Sequence, residues 1–243
     1  MKKQFPLIIL IVLVGLAFGQ DATSQAFTNV TTFTVRIENI SSAVLQPSDG
    51  SVQSVPLSPG VWAVHAPDAA PLFREGERDF GQGLEAIAED GNPAQLASHL
   101  RGRTGIFSSG VFNTPIGAAE PGPLTLGNVY EFTFTASPGD YLSFATMFVP
   151  SNDLFYAPDS RGIALFDATG TPIQGVLREG IVQLWDAGTE VNQEPGVGPD
   201  QVQRQSGPDT GATENGVVQS VPSVFQGHTY PPANQVLLVS VSS

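Results

Sequence analysis

Cysteine is absent from the 243 residues. Disulfides, thiol nucleophiles and sulfur-ligated zinc are therefore excluded, and stability has to come from a packed core, with or without a bound ion. Basic residues are scarce: 10 Lys and Arg stand against 23 Asp and Glu, for a formal net charge of −13. Such a chain repels phosphate backbones and anionic lipid, which excludes nucleic acid as a partner reached through its own field. Charged residues make up 14% of the chain, well under the roughly one quarter usual for globular proteins, which disfavours helices laced with ion pairs. Catalytic signatures are missing as well. There is no G-x-S-x-G elbow, and Gly105-Ile-Phe-Ser-Ser-Gly110 has the wrong spacing for one. There is no H-E-x-x-H and no glycine-rich phosphate loop, and His65, His99 and His228 are scattered along the chain.

One long apolar run is present. Lys2 and Lys3 precede Phe5–Phe18, and Ala17-Phe18-Gly19 supplies small residues at a cleavage position. This pattern reads as a secretory signal peptide over residues 1–19. A run of 14 residues is short against the roughly 20 that a membrane-spanning helix needs, so no transmembrane segment is expected in the mature chain. Without Lys2 and Lys3, 8 basic residues face 23 acidic ones, a net charge of −15. The expected destination is secreted, extracellular or periplasmic. Residues 20–29 are polar and read as a flexible N-terminus.

The rest, residues 30–243, reads as one all-β domain, an antiparallel β-sandwich with a short helical insertion over about residues 83–100. Its 26 glycines and 20 prolines mark many turns. Phe33, Val35 and Ile37 alternate with Thr34, Arg36 and Glu38, the period of a half-buried strand. Val61–His65, Val129–Thr135, Tyr141–Val149, Ile163–Phe166, Gly180–Trp185 and Val236–Val241 read as further strands. Ser137-Pro-Gly-Asp140 joins two of them in what reads as a hairpin. Leu84, Ile87 and Ala88 have helical spacing, Asp90-Gly91 ends that turn, and Asn92-Pro93 starts a second helix as N-cap and first residue. Glu85, Glu89 and Asp90 read as a solvated helix face, and His65 as a satisfied or exposed strand histidine. Thr114–Gly127 reads as an exposed Pro/Gly loop, and 191–216 as a long mobile loop in which Asp200, Asp209 and Glu214 are lesser ligand candidates.

The chain's most distinctive stretch is Tyr141–Glu190. A strand runs into Pro150-Ser-Asn-Asp153, which places Asp153 at a loop tip. A second strand ends on Trp185 and is followed by Asp186-Ala-Gly-Thr-Glu190, with Gly188 permitting a tight turn. Carboxylates gathered at one rim repel unless a proton or metal intervenes. Hard cations take six to eight oxygen ligands, so Asp153, Asp186 and Glu190 with loop carbonyls suit calcium. Spacing alone leaves a second reading open, in which solvated acidic loops cap the strand ends.

At these residues the sequence resembles the spondin N-terminal domain, the module of F-spondin and mindin-like extracellular proteins. The resemblance rests on Met147-Phe-Val-Pro-Ser-Asn-Asp-Leu-Phe155 and Trp185-Asp-Ala-Gly-Thr-Glu190. It is supported by Thr34–Ile40, Leu57-Ser-Pro-Gly60 and Gly83–Pro93, and it extends over about residues 30–243. It implies a C2-like β-sandwich with a calcium ion (Ca2+) at one end, held by the residues matching Asp153, Asp186 and Glu190. The last position is more familiar as aspartate, and the extra methylene of Glu190 alters reach. Animal members carry cysteine-rich repeats, for which this chain has no cysteines. The implied role is adhesion or ligand binding at the cell exterior, with an extracellular protein or glycan as partner and no bond made or broken. Two other roles fit the same residues: a carbohydrate-directed or hydrolytic enzyme using these carboxylates, and a structural envelope or matrix component.

Overall fold

A computed structural model describes residues 30–243. The expected signal peptide and flexible N-terminus lie outside the described residues. The strands are β1 (Thr31–Asn39), β2 (Leu57–His65), β3 (Ile106–Phe112), β4 (Val129–Ala136), β5 (Tyr141–Phe148), β6 (Leu154–Pro158), β7 (Ile163–Ala164), β8 (Gly175–Val176), β9 (Val182–Asp186), β10 (Gln219–Ser220), β11 (Val224–Phe225), β12 (His228–Thr229) and β13 (Leu237–Ser242). Two helices, α1 (Leu84–Asp90) and α2 (Ala94–Leu100), separate β2 from β3.

The architecture is the expected antiparallel sandwich with a small helical insertion. A four-stranded sheet runs β4-β1-β13-β8, and a seven-stranded sheet runs β10-β9-β6-β5-β2-β3 with β7 on β5. Phe33, Val35 and Ile37 of β1 are fully buried, as the alternation requires. They meet Trp62, Phe144 and Tyr156 from the facing sheet in one apolar layer. Aromatic rings fill much of it. Trp62 stacks on Phe132 at 5.5 Å with an interplanar angle of 5°, and Phe132 stacks on Phe112 at 5.4 Å. Such pairs add about 0.5–1.5 kcal/mol beyond the area they bury. Trp62 lies across its neighbour strand opposite Gly110, where a Cβ would stand 2.8 Å from the indole.

A second apolar layer covers the outer face of the larger sheet. Leu84, Ile87 and Ala88 of α1 and Leu96, Ala97 and Leu100 of α2 pack with Val61, Ala63, Ala145, Phe155 and Trp185. This layer explains the continuous burial of β5 and β6, which are covered on both faces. It also overturns one expectation. Glu89 is no solvated residue but is 2% exposed, because α1 turns it toward the sheet. Gly91 ends α1 at φ 64 as expected, while the second helix is capped by Pro93, with Asn92 Oδ1 accepting the Ala94 N–H at 3.1 Å.

Two further expectations are corrected. β4 and β5 form no hairpin: β4 pairs with β1 and β5 with β2, so the Ser137–Asp140 turn carries the chain from one sheet to the other. Both strands alternate correctly because each aims its apolar side at the shared core. The 191–216 segment is also tied down along its length. Val191 N–H donates to Ala212 O at 2.7 Å, Gly196 N–H to Pro150 O at 2.9 Å, and Gln205 Nε2 to Asp90 Oδ1 at 2.7 Å. Polar residues there satisfy a strap rather than a mobile loop. His65 is satisfied, with Nδ1 2.7 Å from Ala66 O and Nε2 2.9 Å from Ser143 Oγ. No helix among the described residues is long and apolar enough to cross a membrane.

Candidate metal centre

The site is built where β5 turns into β6 and β9 turns into the strap. Ser151 closes the first corner, its hydroxyl donating to Phe148 O at 2.6 Å and accepting the Leu154 N–H at 3.1 Å. That turn drives Asp153 inward. It is fully buried, not at a loop tip. Its Oδ2 accepts the backbone N–H groups of Thr189 and Glu190 at 3.0 and 3.1 Å. Asp186 ends β9, one position past the buried indole of Trp185, and is also fully buried. Its Oδ1 accepts the Gly188 N–H at 2.8 Å, and Oδ2 accepts Asn192 Nδ2 at 3.0 Å and Gln219 Nε2 at 3.3 Å. Gly188 has to be glycine, since its φ is 69° and a Cβ would meet Val217 N at 2.6 Å.

Asp153 and Asp186 come together, and the third carboxylate beside them is that of Glu214. One oxygen from each lies within 4.8 Å of the others. Glu190 sits on the same turn but aims elsewhere. Its Oε1 accepts the Gly211 N–H at 2.7 Å and its Oε2 accepts Asn152 Nδ2 at 3.0 Å, so its side chain pins the strap. A Cβ on residue 211 would overlap that carboxylate, which accounts for Gly211. The signal for Glu214 was faint in the sequence, because it reaches the site only when the strap folds back and its N–H finds Thr189 O at 2.9 Å. Asp209 joins Glu85 and Glu89 in a separate acidic group, while Asp200 pairs with Gln193.

Charge at this rim is poorly compensated by the protein. Arg36–Glu131, the one ion pair among the described residues, lies on the exposed face of the smaller sheet. Burial, then the neighbouring Asp186, pushes the Asp153 carboxyl well above its ordinary range. Burial raises Asp186 as well, against the hydrogen bond from Gly188. Burial pushes Glu89 up to about 8, with Glu190, Glu85 and Asp209 adding to the shift. The Thr189 hydroxyl makes the shortage explicit. Its oxygen is 2.7 Å from both Glu89 Oε1 and Asp153 Oδ1. One hydroxyl hydrogen serves one acceptor, so the second contact is a hydrogen bond only when a carboxyl is protonated.

The arrangement fits a hard cation. Oxygens bound to one calcium ion at 2.3–2.6 Å lie at most about 5 Å apart, the span found here. Buried Glu214 Oε2 has no hydrogen-bond partner, an orphaned acceptor beside two fully buried carboxylates. All three donors are carboxylate oxygen, which suits calcium or magnesium and disfavours soft metals. No family model matches the sequence, and no curated protein matches it.

Proposed function

We propose that this protein is an exported, calcium-binding β-sandwich module of the spondin type, whose ion fixes one rim of the sandwich as a recognition surface for an extracellular protein or glycan. The observation that carries the reading is the buried Asp153–Asp186 pair with the orphaned Glu214 Oε2 beside it. Asp153, Asp186 and Glu214 would hold the ion, with water completing its shell. Glu190 would act one step back by holding the strap through Gly211. A bound ion would supply positive charge to these carboxylates, and through them the β5–β6 corner, the end of β9 and the strap would be tied together. Its role is structural. Full burial of Asp153 and Asp186 supports this over a hydrolytic role, since a substrate has to touch the carboxylates that act on it.

The test is thermal unfolding of the mature chain in EDTA, in calcium and in magnesium. A ligand bound only by the folded state adds about 2.7 kcal/mol at a hundredfold excess over its Kd. The expected result is a rise in melting temperature with calcium, greater than with magnesium, that disappears in Asp186→Asn. No rise with either ion at millimolar concentration overturns the reading.

A further inference from the structure

Residues 215 and 216 form the only Asn-Gly pair in the chain. Asn-Gly is the most labile asparagine peptide, because no Cβ shields the glycine nitrogen from the preceding side-chain amide. Here the glycine also sits in a tight place. A Cβ on residue 216 would stand 3.2 Å from Gly188 Cα and from Gly188 O. Asn215 is exposed and holds a left-handed conformation at φ 60°, which asparagine tolerates. The adjoining Gly216 N–H donates to Gly188 O at 2.7 Å, and Glu190 and Thr213 form a β-bridge in the same pairing. The nitrogen that would attack is therefore engaged while the strap is closed.

We propose that Asn215 is a site of spontaneous deamidation, held shut by the Gly188–Gly216 pairing and opened when the cation at Asp153, Asp186 and Glu214 leaves. In the open strap the Gly216 nitrogen loses its proton and bonds to the Asn215 side-chain amide carbon. The amide nitrogen departs as ammonia and a five-membered imide forms. Water then cleaves either of its C–N bonds to give aspartate or isoaspartate, with no oxidant or reductant involved. Aspartate adds a negative charge next to Glu214. Isoaspartate lengthens the backbone by one carbon and carries the Gly216 nitrogen away from Gly188 O. Either product alters the strap irreversibly, so the site records time spent without the ion. The gating rests on the calcium reading above.

The experiment is ageing of the mature protein near neutral pH in heavy-oxygen water, with calcium or with EDTA, followed by peptide mass spectrometry. Asn234 is exposed and followed by Gln235, and it serves as internal reference. Conversion at Asn215 with one solvent oxygen incorporated, selectively slower in calcium, is expected. The slowing approaches roughly 100-fold at a hundredfold excess of calcium over Kd, the factor by which bound ion suppresses an opening that releases it. Asn215→Gly keeps the backbone conformation, removes the reacting amide and should show no loss of melting temperature on ageing in EDTA, where the wild type declines. Equal rates in the two conditions, or conversion at Asn215 no faster than at Asn234, overturn the proposal. Melting curves on the same samples separate the two failures: a calcium-dependent rise with equal rates leaves the metal site standing, and no rise removes both.

Discussion

The aromatic layer between the sheets and the carboxylate rim at their end are buried to the same extent, yet they are held in opposite ways. Phe33, Phe144 and Tyr156 are fully buried, and so are Asp153 and Asp186. Burying a ring is favourable by itself, since water is released and dense contacts replace it. Burying a carboxylate costs free energy unless a proton, a cation or several donors meet it. In the rim, backbone N–H groups from the 188–190 turn supply part of that compensation. The core is held by apolar contacts made within the chain, whereas the rim gathers carboxylates that could hold an ion. A fold built this way can keep its shape while one edge responds to its surroundings.

The largest effect expected from breaking this contrast lies in the core. Phe144→Ala should cost about 3–5 kcal/mol, with the same loss in calcium and in EDTA, as measured by urea unfolding. Next comes the rim. Asp186→Asn should abolish the calcium-dependent gain of about 2.7 kcal/mol expected at a hundredfold excess over Kd. In EDTA the same variant should be at least as stable as the wild type, because a buried charge has gone. The two glutamates then sharpen the assignment. Glu214→Gln should weaken calcium binding, read by isothermal titration, by more than Glu190→Gln does, since Glu190 Oε1 and Oε2 already have partners and Glu214 Oε2 has none.

A pH titration separates the regions again. Glu89 is raised from 4.5 to about 8 by burial and neighbouring acids. A folded-state value above the unfolded one means that the native protein holds the extra proton, so its stabilising effect is full below about 4.5 and is lost as pH rises through about 8. In EDTA the melting temperature should fall across that window, and Glu89→Gln should flatten the fall. The smallest effect is at the surface. Arg36 and Glu131 are 47% and 39% exposed, and removing that pair should cost about 0.2–1 kcal/mol, less in high salt.

The strands were largely readable because local periodicity carries their burial. Phe33, Val35 and Ile37 alternate in the sequence and all three are buried, and the helices fall where Leu84–Ala88 and Ala94–Leu100 place them. Partnership was harder to see. Val129–Thr135 and Tyr141–Val149 have the pattern of hairpin strands, but alternation reports which side faces the core and not which strand lies alongside. The strap misled for a related reason. Its lack of apolar residues is equally compatible with mobility and with the dense polar bonding that Gln193, Gln201 and Gln205 provide. Asp153 and Asp186 stood out as site residues because turn chemistry marks them. Glu89 did not, because a glutamate in a helix next to Asp90 looks solvated.

The sequence by itself determined the sandwich, its helical cover and the two turns that carry Asp153 and Asp186, because alternation, glycine and proline act over a few neighbouring residues. Tertiary structure alone decided that Asp153 is buried, that Glu214 and not Glu190 turns its carboxylate toward the pair, and that Thr189 stands between Asp153 and Glu89. Each of those facts joins segments far apart in the chain. The charge balance of the rim is a sum over groups that only folding brings within reach of one another.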